Sequence, residues 1–356
     1  MSSQRLRDVK EKAYTPQVVS LGPLHHGAIG LQAMEGHKIR YVREFFERSK
    51  VSLQDCYNYL MSQEAKIRAC YAVAIEFNEH KLVEMILVDA IFTFEFLLRS
   101  AFKDLQQKND RIFGKPRMDR DVIYDMLLLE NQIPFFILEY IHFLAVDKHI
   151  IPLKDNRVLS LLELTHIFLQ NRVYIRPFGE MMDKLGHGAR ITHFVDFVLK
   201  CHRPSLSELP RKERLETLTI PSATELHQAG VKFVNCELHD HYINDYVFVI
   251  DRLVDNSKDV ELLVQNKILE SKLPDSQAAA DFINSLDLGP ILFSRDFYFT
   301  QLCKQLNDYY DVPWHKWKES LKQDYFSTPW VGLSVIVAAI LLVLTLIQTV
   351  CSVIAM

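Results

Sequence analysis

The sequence predicts a mainly α protein: a large helical body with at most a small β element, followed by one C-terminal transmembrane helix. Three observations carry that prediction. Apolar residues recur at three- and four-residue spacing through several long runs, the pattern of a helix with one buried face. Glycine and proline, 11 and 13 of 356 residues, are too sparse for a turn-rich β fold, and apolar types make up 49% of the chain. The stretch 331–356 carries no charge and is mostly aliphatic.

Taken in order, the first helix is expected from Ser52. Ser52 and Asp55 resemble a capping box, and Leu53, Tyr57, Leu60, Ile67, Tyr71 and Ala74 follow a four-three rhythm. Glu64 interrupts that apolar stripe, and Arg68 one turn later supplies an internal ion-pair partner. The run 81–102 is apolar around most of its circumference, which marks a central helix whose Asp89 and Glu95 need partners. A third apolar run follows from Asp121, and Pro134 inside it should kink or split the helix near Ile133. Glu130, Asn131 and Gln132 stand beside that break, where freed backbone groups need hydrogen-bond partners, so they read as structural.

Prolines and charges replace periodicity over 203–222, a surface loop and the candidate sub-boundary within a body spanning 1–325. A short strand could lie at 231–234. Helices are then expected over 244–254, 257–267, 276–286 and 297–309, three of them opened by Asn or Ser caps. Trp314, Trp317, Leu321 and Tyr325, with Lys316, Lys318 and Lys322 elsewhere around the helix, predict an interfacial segment over 314–330. Thr328, Pro329 and Trp330 then open the spanning helix, 331–354.

The lysines before the span and the absence of charge after it place the body in the cytosol. The polar N-terminus has no apolar signal region, so a single-pass tail anchor is expected, in an ER-derived or plasma membrane rather than a mitochondrial one. Six scattered cysteines form no C-x-x-C pair, which argues against a disulfide framework or zinc knuckle and suits reduced thiols. A formal net charge of −4 without a basic, aromatic-interleaved stretch argues against nucleic acid as a partner.

Enzyme signatures are missing. The chain has no G-x-S-x-G elbow, phosphate-binding glycine loop or H-E-x-x-H helix. His25, His26, Glu35 and His37 lie close enough along the chain to meet around one metal ion, although the plainer reading is a turn whose histidines cap and hydrogen-bond. Two Glu-x-x-His matches, Glu139 with His142 and Glu163 with His166, have the spacing used in carboxylate di-iron bundles, with Asp89 and Glu95 as further candidates. Chance alone supplies about one such match in a chain of this composition, so no metal, cofactor or catalytic residue is assigned.

The blocks AYTPQVVSLGPLHHG, AMEGHKIRYV, EAKIRACYA, LVDAIFTFEFL, DMLLLENQIPFFIL, SATELHQAGVKF and YFSTPWVGLSVIVAAILLVLTLIQT together resemble the plant family called domain of unknown function 247. The resemblance runs from about residue 6 to the C-terminus. It implies a mostly helical plant protein with a C-terminal membrane span and no established enzyme activity. Members lie at the self-incompatibility loci of grasses, which implies recognition or signalling. The positions that match the family motifs are His25, His26, Gly27, Glu35, His37, Glu64, Arg68, Tyr71, Asp89, Glu130, Asn131, Gln132 and Pro134. The family brings no catalytic residue to carry over to them.

Two departures stand out. The strand-rich stretch usual after the AGVKF block is shortened here around 231–245, and residues usual before the first block are absent. The reading is therefore a non-enzymatic, membrane-tethered module acting through protein partners. The alternatives are a membrane-bound metal-dependent enzyme and a shortened copy without function.

Overall fold

The computed structural model describes residues 11, 14–107, 109–170, 173, 175, 177–185, 190–202, 220–233, 243–271, 273–286, 297–314 and 329–354. The chain divides into two units, Met1–His202 and Arg203–Met356.

The first unit holds nine α-helices among its described residues: α1 (Gln32–Ser49), α2 (Leu53–Ser62), α3 (Glu64–Ala69), α4 (Glu79–Ala101), α5 (Met118–Met126), α6 (Phe135–Asp147), α7 (Leu161–Gln170), α8 (Phe178–Leu185) and α9 (Phe194–Cys201). The apolar run around residue 90 becomes the axis. Asn78 caps α4 by accepting from the Lys81 N–H at 2.8 Å, and α1, α2, α3, α6 and α7 all pack against it. Neighbours on several sides account for the apolar circumference of this helix. They also bury Asp89, Glu95 and Arg99 to 1% exposure or less, so each must be paired.

Two runs are broken where their periodicity looked continuous. Ser52 does cap α2, accepting from Asp55 N at 3.2 Å, but Gln63 separates α2 from α3 and helix ends at Ala69. Arg68, paired with Glu64 at 2.5 Å, donates to Ile75 O and Phe77 O and so holds the non-helical connector that contains Tyr71 and Ala74. The run from Asp121 stops at Met126, well before Ile133. Gln132 Nε2 caps the freed carbonyls of Met126 and Leu128 at 2.7 Å each, and Pro134, which has no N–H to satisfy, stands at the N-cap of α6.

The second unit contains α10 (Ala223–Gln228), α11 (Ile243–Leu253), α12 (Ser257–Gln265), α13 (Ser276–Asn284), α14 (Thr300–Tyr310) and α15 (Pro329–Ile354). Capping boxes open α10 and α12, built on Ser222 with Glu225 and on Asn256 with Asp259. The caps of α12 and α13 are Asn256 and Asp275, one residue before the serines expected to open them. Buried Asp259 also accepts from Thr224 N at 2.7 Å, which ties α10 to α12. Two apolar clusters fill this unit, one around Leu226, Phe248 and Phe297 and one around Val254, Val260 and Ala280.

Three expectations are corrected. No strand occurs among the described residues; Val231, Lys232 and Phe233 are irregular, and the β structure there is confined to isolated bridge residues, Lys154 paired with Arg157 and Phe297. The C-terminal helix does form, yet among the described residues no helix is long and apolar enough to cross a membrane. The transmembrane assignment, and with it the single-pass membrane location, is therefore withdrawn. The interfacial side chains Lys316, Trp317, Lys318, Leu321, Lys322 and Tyr325, the cap Thr328, and most of the 203–222 loop lie outside the described residues.

Candidate functional site

The first unit is organised around a strap, residues 17–22, whose main chain is held by side chains in place of a neighbouring strand. The Asp125 carboxylate accepts the N–H groups of Gln17, Val18 and Val19 at 2.9, 2.6 and 2.8 Å. Asn131 accepts from Leu21 N at 2.6 Å and donates to Val19 O at 3.0 Å and to Asp125 O at 2.9 Å. Asp89 accepts from Gly22 N at 2.8 Å. Lys38 Nζ spends its donors on Ser20 O, Asp89 and Glu35 at 2.5, 2.7 and 2.7 Å.

Five of the strap's six N–H groups and the Val19 and Ser20 carbonyls are thus answered, as buried irregular backbone requires, while the buried Ser20 hydroxyl has no partner among the described residues. Burial pushes the Asp89 carboxyl up, against the opposing pull of Lys38 and the Gly22 N–H. Burial lowers the Lys38 ammonium, but Asp89 and Glu35 outweigh it and leave its pKa raised. Gly22 adopts φ +72°, and a Cβ there would stand 2.9 Å from both Gln132 O and the Tyr71 hydroxyl. Tyr71 in turn donates to Gln132 O at 3.1 Å.

A second buried network lies along α1 and α4. Asp110 accepts from the Tyr41 hydroxyl at 2.6 Å and from Arg99 at 3.2 Å, and His37 Nε2 is 3.4 Å away. Arg99 also reaches Glu44 at 2.5 Å and Glu95 at 3.1 Å, and its guanidinium lies 3.9 Å from the Tyr41 ring centroid. Burial opposes ionisation of Asp110, but the hydrogen bonds from His37, Tyr41 and the Ile112 and Phe113 N–H groups hold its carboxyl well below the usual carboxylate range.

Glu35, Tyr71, Asp89, Asn131 and Gln132 thus converge on the strap, whereas His37 is spent on Asp110 and Glu64 on Arg68. His25 Nε2 lies 3.9 Å from Glu130, His26 meets the Phe77 ring edge-on at 5.8 Å, and Gly27 turns the chain with φ +82°. Among the described residues no group of three or more His, Cys, Asp or Glu side chains could hold a metal ion. The Glu-x-x-His pairs are likewise spent elsewhere: His142 bonds Leu159 O at 2.9 Å, and Glu163 pairs with Arg157 at 2.5 Å while capping Ser160.

Beside the strap a cleft opens. Its larger chamber, about 360 Å³, is lined by Leu24, Tyr71, Val73, Leu129, Ile133 and His193, with Glu130 and Gln132 at its polar edge. A smaller chamber of about 210 Å³ is lined by Lys66, Phe136, Glu139, Arg190 and Ile191. The two share Cys70, Pro134 and Thr192, and the Phe135 N–H donates to Thr192 O at 2.7 Å, fixing that shared wall. Burial raises the Glu139 carboxyl, against the pull of Arg190 and Lys66. Burial also raises the Cys70 thiol, and its Sγ donates to Lys66 O at 3.3 Å. His193 Nδ1 accepts from Asp196 N at 3.1 Å as the N-cap of α9. Cys70 and His193 form no hydrogen bond with each other, and the Thr192 hydroxyl donates to Asp196 at 2.9 Å.

Sequence reasoning missed Gly22, Lys38, Tyr41, Arg99, Asp110 and Asp125, and from the cleft Lys66, Cys70, Arg190, Thr192 and His193. A charged residue inside an apolar run was the available signal for Asp125. None marks the cleft, whose walls come from four separate stretches of chain.

A family model described as "Plant protein of unknown function", DUF247, matches residues 2–241 and 234–344. The chain belongs to the DUF247 family. UPF0481 protein At3g47200 of Arabidopsis thaliana is 23% identical over 411 residues, covering 95% of this chain and 82% of the relative. Putative UPF0481 protein At3g02645 of the same plant is 23% identical over 462 residues, covering 94% and 86%. Both alignments exceed the 356 residues of this DUF247 chain, so each relative carries residues without a counterpart here. The two DUF247 matches overlap at 234–241, within the 231–245 stretch expected to be shortened; those residues lie outside the described ones. No solved structure matches the chain.

Proposed function

We propose that this DUF247 chain is a non-enzymatic helical module that acts in plants through protein partners, in recognition or signalling, with its binding surface on the 1–325 body. The observation that supports this reading is how the family-motif residues are used. Asp89, Asn131, Gln132, Tyr71 and Glu35 are consumed in holding the strap, and the cleft beside them offers apolar walls and separated charges without a reacting set. A metal-dependent enzyme built on His25, His26, Glu35 and His37 finds no support in their geometry, because His37 and Glu35 are already committed to Asp110 and Lys38.

Proximity labelling with the full chain fused to a biotin ligase in plant cells tests the reading. The expected result is a reproducible set of neighbours enriched over free ligase; a set indistinguishable from free ligase overturns it. A second reading, a shortened copy without function, draws on the split of the family match into two pieces that overlap at 234–241. It predicts that restoring the family's stretch there raises the yield of folded protein several-fold, and an unchanged yield rejects it.

A further inference from the structure

The cleft pairs two features that select the same ligand class. Ala72, Val73 and Ala74 are exposed and non-helical, and among the described residues none of their N–H or C=O groups has a hydrogen-bond partner. Ala72 and Val73 line the larger chamber, and Ala74 follows them in the chain. Free main-chain donors and acceptors beside an apolar chamber are what an added extended peptide uses: its backbone bonds the edge and its alternate side chains fill pockets.

The second feature is charge. Lys66 and Arg190 line the smaller chamber, both are exposed, and among the described residues neither has a carboxylate within ion-pair distance; Lys66 Nζ rests instead 3.7 Å from the Phe136 ring centroid. Against these two cations stands one carboxylate, Glu139. The chambers meet at Cys70, Pro134 and Thr192, so side chains two residues apart on one face of a strand, about 6.5 Å from each other, can enter both.

We propose that this cleft binds an extended peptide that places a bulky apolar side chain in the larger chamber and a carboxylate side chain, two residues along, in the smaller one. The proposal rests on the protein-interaction reading and names the partner's chemistry. The probe is an array of capped octapeptides in which one position is Leu, Phe or Ser and the position two along is Glu, Gln or Lys, read with the full-length protein.

Peptides with Leu or Phe followed by Glu are expected to bind at least tenfold more tightly than their Gln, Lys or Ser counterparts. Arg190→Glu should reverse the preference toward Lys, a change of specificity that a misfolded protein cannot produce. Lys66→Glu, at another exposed position on the same chamber, provides the same reversal if Arg190→Glu loses helix content. An array that does not discriminate Glu from Gln and Lys, or charge-reversed variants that keep the Glu preference, overturns the proposal. If that happens while labelled neighbours persist in Arg190→Glu, only the cleft assignment fails. Loss of neighbours from the unaltered chain is instead a failure of the interaction reading itself.

Discussion

Replacing Asn131 with Ala removes one side chain that serves three main-chain groups: Leu21 N–H, Val19 C=O and Asp125 C=O. Val19 and Leu21 are 0% and 1% exposed, so water cannot take over the first two bonds without opening the strap. Leaving a buried donor or acceptor unmade costs about 1–3 kcal/mol. Those two groups alone give about 2–6 kcal/mol, a large part of the roughly 5–15 kcal/mol that holds an ordinary domain together.

The three tryptophans, Trp314, Trp317 and Trp330, all belong to the second unit, so none is a probe within the first. Hydrogen exchange read by mass spectrometry on a peptide covering 17–22 reports on the strap directly. A loss of about 2 kcal/mol corresponds to an acceleration of about thirtyfold at the Leu21 amide. Asn58→Ala is the control: Asn58 is exposed, and its hydrogen bond joins it only to Gln54 on the same helix surface. If Asn131→Ala changes exchange of the strap by less than threefold, the strap is not held by side-chain bonds, and the assignment of the LENQIP residues to structure falls.

Gly22→Ala should destabilise the first unit by at least about 1–2 kcal/mol from the left-handed backbone alone, with the 2.9 Å approach to Gln132 O adding to it; the urea midpoint followed by circular dichroism checks this. Glu163 is held at about 2, below its ordinary 4.5, chiefly by Arg157 and despite partial burial. Its folded-state pKa is depressed, so its contribution to stability is complete above pH 4.5 and disappears as pH falls toward about 2; Glu163→Gln should flatten the acid limb of the urea midpoint over that window. Native alkylation should modify the exposed Cys70 and Cys351 first. Cys56, Cys201 and Cys303, buried and raised to about 11, 12 and 11, should stay protected until unfolding, as peptide mapping after iodoacetamide would show.

The central helix was legible because an apolar circumference requires burial on all sides, and Ser52 announces a helix start through a short-range hydrogen bond that sequence spacing fixes; the caps Asn78 and Ser222 emerged only from the structure. Helix α1 was missed. Its face is interrupted by Glu35, His37 and Lys38, which look solvated in sequence; His37 and Lys38 are buried because Asp110 and Asp89, far along the chain, receive them, and Glu35 is half-buried against Lys38. The C-terminal run of 331–356 was legible as a helix, and its membrane-spanning role did not survive the structure.

By itself, then, the sequence determined the helical class, the central helix and the family, since each depends on spacing within a run or on the order of blocks. Tertiary structure decided where helices stop and what the motif residues do. Gln132 ends a helix by capping carbonyls behind it, Asn131 and Asp125 reach back more than a hundred residues to the strap, and the cleft forms where Tyr71, Pro134 and Thr192 meet. Hydrogen bonds and cavities of this kind depend on the meeting of distant segments, and local periodicity carries no record of which segments will meet.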